Sequence, residues 1–236
     1  MTSSSAPVLE LSEVSKDYRG LRPLRIAKLT VLPGEVIAIV GLDQTTAEVF
    51  VNLVTGATLP DRGDVRLFGR STTAIADSTD WLAVVDRFGI VSGRAVLLDA
   101  LTVVQNLAMP FTLEIEPPAD DIRRRAIALA RRAGLADASL DRPVAELGPA
   151  GHARVRLGRA LALDPAVVIL EHPTAGLPRE QVAALGVQCR DLSAATIALT
   201  ADLEFAEALG GRCLTLDAAT GRLAGRSGWL ARLRSG

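Results

Sequence analysis

The strongest constraint on how this chain folds is residues 144–178, VAELGPAGHARVRLGRALALDPAVVILEHPTAGLP. Val155, Leu157, Ala160 and Leu161 recur there at helical spacing, the Asp164-Pro165 pair ends the helix, and AVVILE follows as an apolar run of strand length. A run with no polar face belongs in the interior of a sheet covered on both sides, which is the environment of a parallel strand. HPTAGLP then turns the chain away. The same kind of run recurs as EVIAIV at residues 35–40, ahead of a helical pattern, and as TIALT at residues 196–200. Strands alternating with helices in this way specify an α/β fold built on a parallel sheet.

The rest of the chain adds smaller elements. VLELSEVSKDY reads as a strand ending near Tyr18, and LRIAKLTVLPGEVIAIVG as two strands around the Pro33-Gly34 turn. In EVFVNLVTG, Val49, Phe50, Leu53 and Val54 follow helical spacing, and LPDRGDVRLFGR reads as a turn and hairpin. EIEPPADD is a loop whose aspartates open the helix IRRRAIALARRAGL, with Ile122, Ala126, Leu129 and Ala133 on one side. Arg123, Arg124, Arg125, Arg131 and Arg132 on that helix read as a solvated face rather than a basic patch. REQVAALGVQCRDLS is a further helix with Val182, Leu185, Cys189 and Leu192 inward, and RCLTLDAATGRLAG a terminal hairpin turning at residues 218–221.

With 236 residues and 49% apolar composition, the chain can bury a sizeable core. Its 26 basic residues are offset by 27 acidic ones, which argues against nucleic acid as a partner. Cys189 and Cys213 have no metal or redox spacing, and Cys189, on an apolar helix face, reads as a buried thiol. No apolar run reaches the length of a membrane span, and MTSSSAPV carries no charged start or apolar signal core, so a cytoplasmic chain is expected.

Taken in order, these elements resemble the nucleotide-binding domain of an ATP-binding cassette (ABC) transporter over about residues 8–225. The framework residues Gly34, Glu35, Gly41, Arg154, Arg159, Ala160, Leu161, Pro165, Pro173, Thr174, Gly176 and Leu177 carry the likeness. The resemblance implies a P-loop NTPase-like ABC cassette with a RecA-like core, an antiparallel β subdomain and an inserted helical subdomain at about residues 94–155. Residues 1–7 and 226–236 would be tails.

The chemistry of that family is altered wherever it touches nucleotide. A P-loop follows G-x-x-x-x-G-K-[ST], so that backbone N–H groups and a lysine meet the phosphates and a hydroxyl holds Mg²⁺. Residues 41–48 are GLDQTTAE, with Gly41 in place but Thr46, Ala47 and Glu48 where glycine, lysine and hydroxyl belong. Two unit charges about 4 Å apart interact by roughly 4 kcal/mol at an effective dielectric near 20, so Glu48 opposes a polyphosphate. Gly93 stands at the Q-loop glutamine, and GPAGH (Gly148, Pro149, His152) replaces the signature that completes the opposing site of an ABC dimer. Pro149 has no N–H to donate there, and His152 reads as a surface histidine. Glu171 and His172 stand for the Walker B aspartate and catalytic glutamate, with His172 a potential base by its intrinsic pKa. Pro178 replaces the D-loop aspartate and Ala201 the switch histidine.

No catalytic residue and no metal ligand is therefore assigned. Tyr18, Gly41 and Thr45 remain as vestigial ATP-site positions, Tyr18 being either the adenine-stacking aromatic or an ordinary strand-end tyrosine. No cofactor is expected, with ATP and Mg²⁺ only if the site is residual. The partners that the resemblance implies are an integral membrane permease and a second ABC cassette, of the same or a different chain. Gly93, Arg94, Val96, Leu97 and Leu98 are the candidate permease-docking segment, or else ordinary subdomain core. The reading is a pseudo-ATPase subunit of an ABC transporter, peripheral to the inner face of the membrane through its permease. An atypical but active ATPase and a soluble ABC-like scaffold are the alternatives.

Overall fold

The computed structural model describes residues 6–225, so most of the two expected tails lies outside the described residues. Six strands form one sheet in the order β10-β9-β3-β8-β7-β6. Its strands β3 (Val36–Val40), β6 (Phe88–Ser92), β7 (Val167–Glu171), β8 (Ala195–Thr200) and β9 (Arg212–Leu216) run parallel, and only β10 (Leu223–Gly225) is antiparallel. Residues of β7 and β8 are buried without exception, as runs with no polar alternation require when both faces are covered.

Each central strand sends its alternate side chains into two different cores. Ala38, Val40, Val168, Leu170 and Ala198 face one core. Packed against that face are helices α3 (Val103–Ala108), α4 (Asp120–Arg132), α5 (Pro149–Ala160), α6 (Arg179–Arg190) and α7 (Leu203–Leu209). Ile37, Ile39, Val167, Ile169, Ile197 and Leu199 face the other core, which they share with helix α1 (Gln44–Val54). Beneath α1 lies a four-stranded antiparallel sheet in the order β2-β1-β4-β5, made of β1 (Leu9–Lys16), β2 (Leu24–Val31), β4 (Arg62–Leu67) and the two-residue β5 (Arg70–Ser71). Helix α1 is thus held between two sheets. Burying Phe50 and Leu53 there contributes roughly 1.5–3 kcal/mol for each side chain.

Between β6 and β7 the chain forms helices, turns and two isolated bridges. Helix α4 opens with Asp120 and Asp121 and closes with Arg131 and Arg132, complementing its dipole at both ends. Four of its five arginines are occupied locally: Arg123 pairs with Asp141, Arg131 with Asp137 and Arg132 with Asp164, while Arg125 lies over the Phe111 ring. That is the solvated face expected from the balanced charge.

Two elements differ from the sequence reading. Helix α1 begins at Gln44, five residues before Val49, where the apolar periodicity that announces it starts, because Asp43 caps it. Helix α2 (Ser78–Val85) was not legible from periodicity, since none of its residues is fully buried; Asp77 caps it, and the Trp81 indole N–H donates to the Thr55 carbonyl.

Close packing of β6 on α5 leaves no space for a side chain at Gly89. A Cβ there would sit 2.3 Å from the Ala160 carbonyl oxygen. Gly89→Ala is expected to destabilise the fold by about 1–3 kcal/mol, read as a lower urea midpoint with an unchanged slope. Burial also pushes the Cys189 thiol up to about 12. Because the thiolate is the reactive form, Cys189 should resist iodoacetamide at pH 8 and react only on unfolding; rapid labelling of the native protein would contradict its placement.

Candidate functional site

Parallel pairing puts the C-terminal ends of β3, β8, β7 and β6 side by side, with Val40 opposite Thr200 and Ser92 opposite Glu171. In an open α/β sheet, this edge is where loops gather and ligands bind. Three loops meet here: residues 41–43 after β3, residues 93–102 after β6, and residues 172–178 after β7.

The first loop is short. Gly41 adopts φ +93° with open space where a Cβ would stand, so its glycine answers a backbone need, not a steric one. Asp43 is extended and its carboxylate accepts the Thr46 N–H at 2.7 Å, which caps α1. That N–H is one of the free donors that make a helix N-terminus an anion site. Here the anion is Asp43 itself. The hydrogen bonds from the Thr46 backbone and side chain hold the Asp43 carboxyl below the usual carboxylate range. Ala47, where a phosphate-binding lysine would project, is fully buried in the core beneath. Thr45 is exposed. The Tyr18 hydroxyl shares a hydrogen bond with the Thr46 hydroxyl at 3.0 Å, bringing the ring across the start of α1.

The densest charge cluster lies at the join of the three loops. Glu171 ends β7 with no solvent-exposed surface. Arg94 reaches it from the β6 loop, with Nη2 2.7 Å from Oε2, and Gln44 Nε2 donates to Oε1 at 2.7 Å. The other arm of the same guanidinium contacts Glu48, with Nη1 2.5 Å from Oε1. One arginine therefore joins two carboxylates from separate elements, in the charge-assisted geometry that makes such bonds strong. A buried carboxylate without a partner is costly, while the Arg94 side of the pair, 43% exposed, is screened by water.

Of the remaining predicted positions, His172 and Ala201 line one pocket, and Gly148 and Pro149 lie apart at the start of α5. His172 has φ +43°, left-handed for a residue with a side chain, and its buried Nε2 has no hydrogen-bond partner. It lies near enough to Asp43 for its charge to act on that carboxyl. Gly148 caps α5 without a side-chain bond, and Pro149 is its first helical residue. His152 is not a free surface group: its Nε2 pairs with the Val144 carbonyl at 2.9 Å. Pro178 precedes α6, and Ala201 is exposed beyond β8.

Within the candidate docking segment the side chains part company. Val96 and Leu98 are 74% and 38% exposed, but Leu97 is buried in the core and Arg94 is turned inward to the carboxylates. Leu97 thus belongs to the core, while Arg94 keeps a side chain that is 43% exposed and whose guanidinium meets the two carboxylates. Beside the segment lies a groove of about 400 Å³ lined by Phe88, Ile90, Ala95, Met109, Pro110 and Leu163. The sequence reading missed Asn106. It is fully buried, accepts the Leu98 N–H at 2.9 Å and donates to the carbonyls of Leu98, Leu101 and Thr102. A polar residue on the inward face of α3 was its only signal. Asp43 and Gln44 were also passed over, although an aspartate just ahead of a helix is a capping signal.

Asp43 makes a testable contribution. Its folded pKa lies below its unfolded one, so its stabilisation is present above the ordinary carboxylate value and is lost as pH falls below roughly 4. Asp43→Ala should cost about 1 kcal/mol at neutral pH and flatten the acid limb of the stability profile. Asp43→Asn, which still accepts through its amide oxygen, should keep most of the neutral-pH stability in urea melts.

Comparison with known proteins agrees with this architecture. The sequence profile described as ABC transporter matches residues 24–175. The chain is 31% identical over 212 residues to the lipoprotein-releasing system ATP-binding protein LolD of Alcanivorax borkumensis, covering 86% of this chain and 92% of that protein. It is 28% identical over 219 residues to the methionine import ATP-binding protein MetN of Brucella abortus, covering 91% of this chain. The chain spans only 58% of the length of that relative. Among solved structures, a dimeric bacterial ABC transporter cassette superposes with a TM-score of 0.76 at 21% identity, over 94% of this chain and 100% of the other, which bears on the fold alone. On the profile match, the LolD likeness and the sheet topology together, the chain belongs to the ABC transporter family, as an ATP-binding cassette.

Proposed function

We propose that this chain is a cassette subunit of an ABC transporter that docks on a membrane permease but binds Mg-ATP weakly or not at all and does not hydrolyse it. The observation that carries the reading is the Arg94 bridge between Glu48 and Glu171. ABC cassettes as a family bind ATP with Mg²⁺, and the residues here do not fit that pair. Where a metal would sit between acidic ligands, a guanidinium is already bound to both. Where a phosphate would meet the start of α1, Asp43 holds the Thr46 N–H, Ala47 brings no charge, and Glu48 brings the wrong one. Losing a single positioned donor typically costs 10²–10³-fold in rate, and a positioned acid or base 10²–10⁴-fold.

The docking half of the proposal rests on the groove beside β6 and on Val96 and Leu98. A groove lined largely by apolar side chains, with two exposed aliphatic residues beside it, suits an amphipathic helix of a partner. No helix among the described residues is long and apolar enough to cross a membrane, so attachment would run through that partner. A second cassette would pair across the start of α5, where Gly148 and Pro149 offer neither a hydroxyl nor, at Pro149, an N–H to a nucleotide held by the other chain. In a mixed pair, the site built on the partner's own phosphate loop is the one that would retain nucleotide. On this reading the chain sits at the inner, cytoplasmic face, held there by its permease.

Calorimetry of the purified protein should show no micromolar affinity for Mg-ATP; such affinity would overturn the nucleotide half of the reading. The combined substitutions Thr46→Gly, Ala47→Lys and Glu48→Ser should raise binding more than turnover, because His172 and Ala201 remain. Val96→Glu with Leu98→Glu should release the chain from its permease without loss of folding, measured by co-purification from solubilised membranes. Undiminished capture would count against docking through this surface.

A further inference from the structure

The loop that carries Val96 and Leu98 is fixed at every step. Arg156 Nε donates to the Ala95 carbonyl at 3.2 Å, and Arg159 Nη1 to the Val96 carbonyl at 2.7 Å. Asn106 holds both backbone groups of Leu98. The N-terminal end of the same loop is held by the Ala95 N–H, which donates to the Ser92 carbonyl at 3.1 Å, and by Arg94: its backbone N–H donates to the Ser92 hydroxyl at 3.1 Å, and its guanidinium spans Glu171 and Glu48. Arg156, Arg159 and Asn106 all tie the loop to the helices between β6 and β7, whereas Arg94 ties it to β7 and α1.

We propose that the Arg94 guanidinium is the resident counter-ion of this site, serving Glu48 and Glu171 as a divalent metal would, and that it locks residues 93–98 to the sheet independently of metal or nucleotide. The electrostatic reason is specific. Glu171 is fully buried and needs a positive partner at all times, and a guanidinium stays charged at any physiological pH. Its planar fork presents two arms to two acceptors, whereas a lysine would bring a single point charge. A metal ion comes and goes with its ligand; a side chain does not. The platform beside the groove would then keep one geometry throughout, with no response to Mg-ATP. This rests on the reading of the chain as a cassette without metal-nucleotide binding, and the test uses metal alone so that the two can fail separately.

Compare wild type, Arg94→Met, Glu171→Gln and the double variant Arg94→Met with Glu171→Gln, each in EDTA and in millimolar MnCl₂. Thermal midpoints and hydrogen–deuterium exchange of the amides of residues 93–98 are the readouts. Wild type should behave identically in both buffers. Arg94→Met should melt lower and exchange at least tenfold faster in residues 93–98, and Mn²⁺ should partly reverse the lower midpoint. The double variant should regain most of the thermal midpoint, lose its response to Mn²⁺ and keep the fast exchange, because the charge is balanced while the tether is gone. If wild type responds to Mn²⁺ as strongly as Arg94→Met does, the metal displaces the arginine and the proposal falls. It also falls if Arg94→Met retains wild-type protection. Should Arg94→Met fail to fold, the double variant decides: a folded protein with wild-type protection at residues 93–98 overturns the lock.

Discussion

Everything in this cassette hangs on a parallel sheet that is dry on both faces. Ile37 and Ala38, or Val168 and Ile169, are neighbours in sequence yet lie in two separate cores. Neither core can be completed by the sheet alone. One is closed by five helices, and the other by α1 and an antiparallel sheet. Because these strands have no polar face, their register cannot slip without moving side chains between cores of different shape. The consequence reaches the site: fixed register fixes the C-terminal ends, so Ser92, Glu171 and Thr200 stand in a defined row beside the loop to α1.

At the end of that row the fold has a carboxylate with no access to water. Burial makes Glu171 demanding, and the chain answers with Gln44 and Arg94, from opposite sides. The same arginine neutralises Glu48, which would otherwise oppose Glu171 across the site. A few residues away, Asp43 satisfies the start of α1 from within the chain. Both kinds of charge that a nucleotide and its metal would bring are supplied by side chains. This internal completeness, more than the loss of any one family residue, supports the reading of a cassette that keeps its shape without nucleotide.

The loop after β6 connects this interior to the surface. Arg94 reaches the carboxylates and Leu97 enters the core, while Val96 and Leu98 are exposed. Asn106 makes the turn into α3 rigid by satisfying four backbone groups with one buried amide. A buried polar group with all its bonds made specifies one conformation. The shape of the adjoining groove depends on it.

By itself the sequence determined the order and type of most elements, because apolar runs such as VVILE and the helical periodicity of Phe50, Leu53 and Val54 are local signals read over a few residues. It also carries the residues on which the proposed loss of nucleotide binding rests, Ala47, Glu48 and Pro149. Helix α2 stayed hidden because its residues are only partly covered and leave no strong apolar period. Only the tertiary structure decided where the charges go. Arg94 and Glu171 are 77 residues apart and Gln44 and Glu171 are 127 apart, so no local pattern joins them. The segment holding Arg94 and Leu97 was left open between docking surface and subdomain core for the same reason: burial is a property of what packs against a residue, and for Leu97 that is decided by elements that the loop's own sequence does not describe.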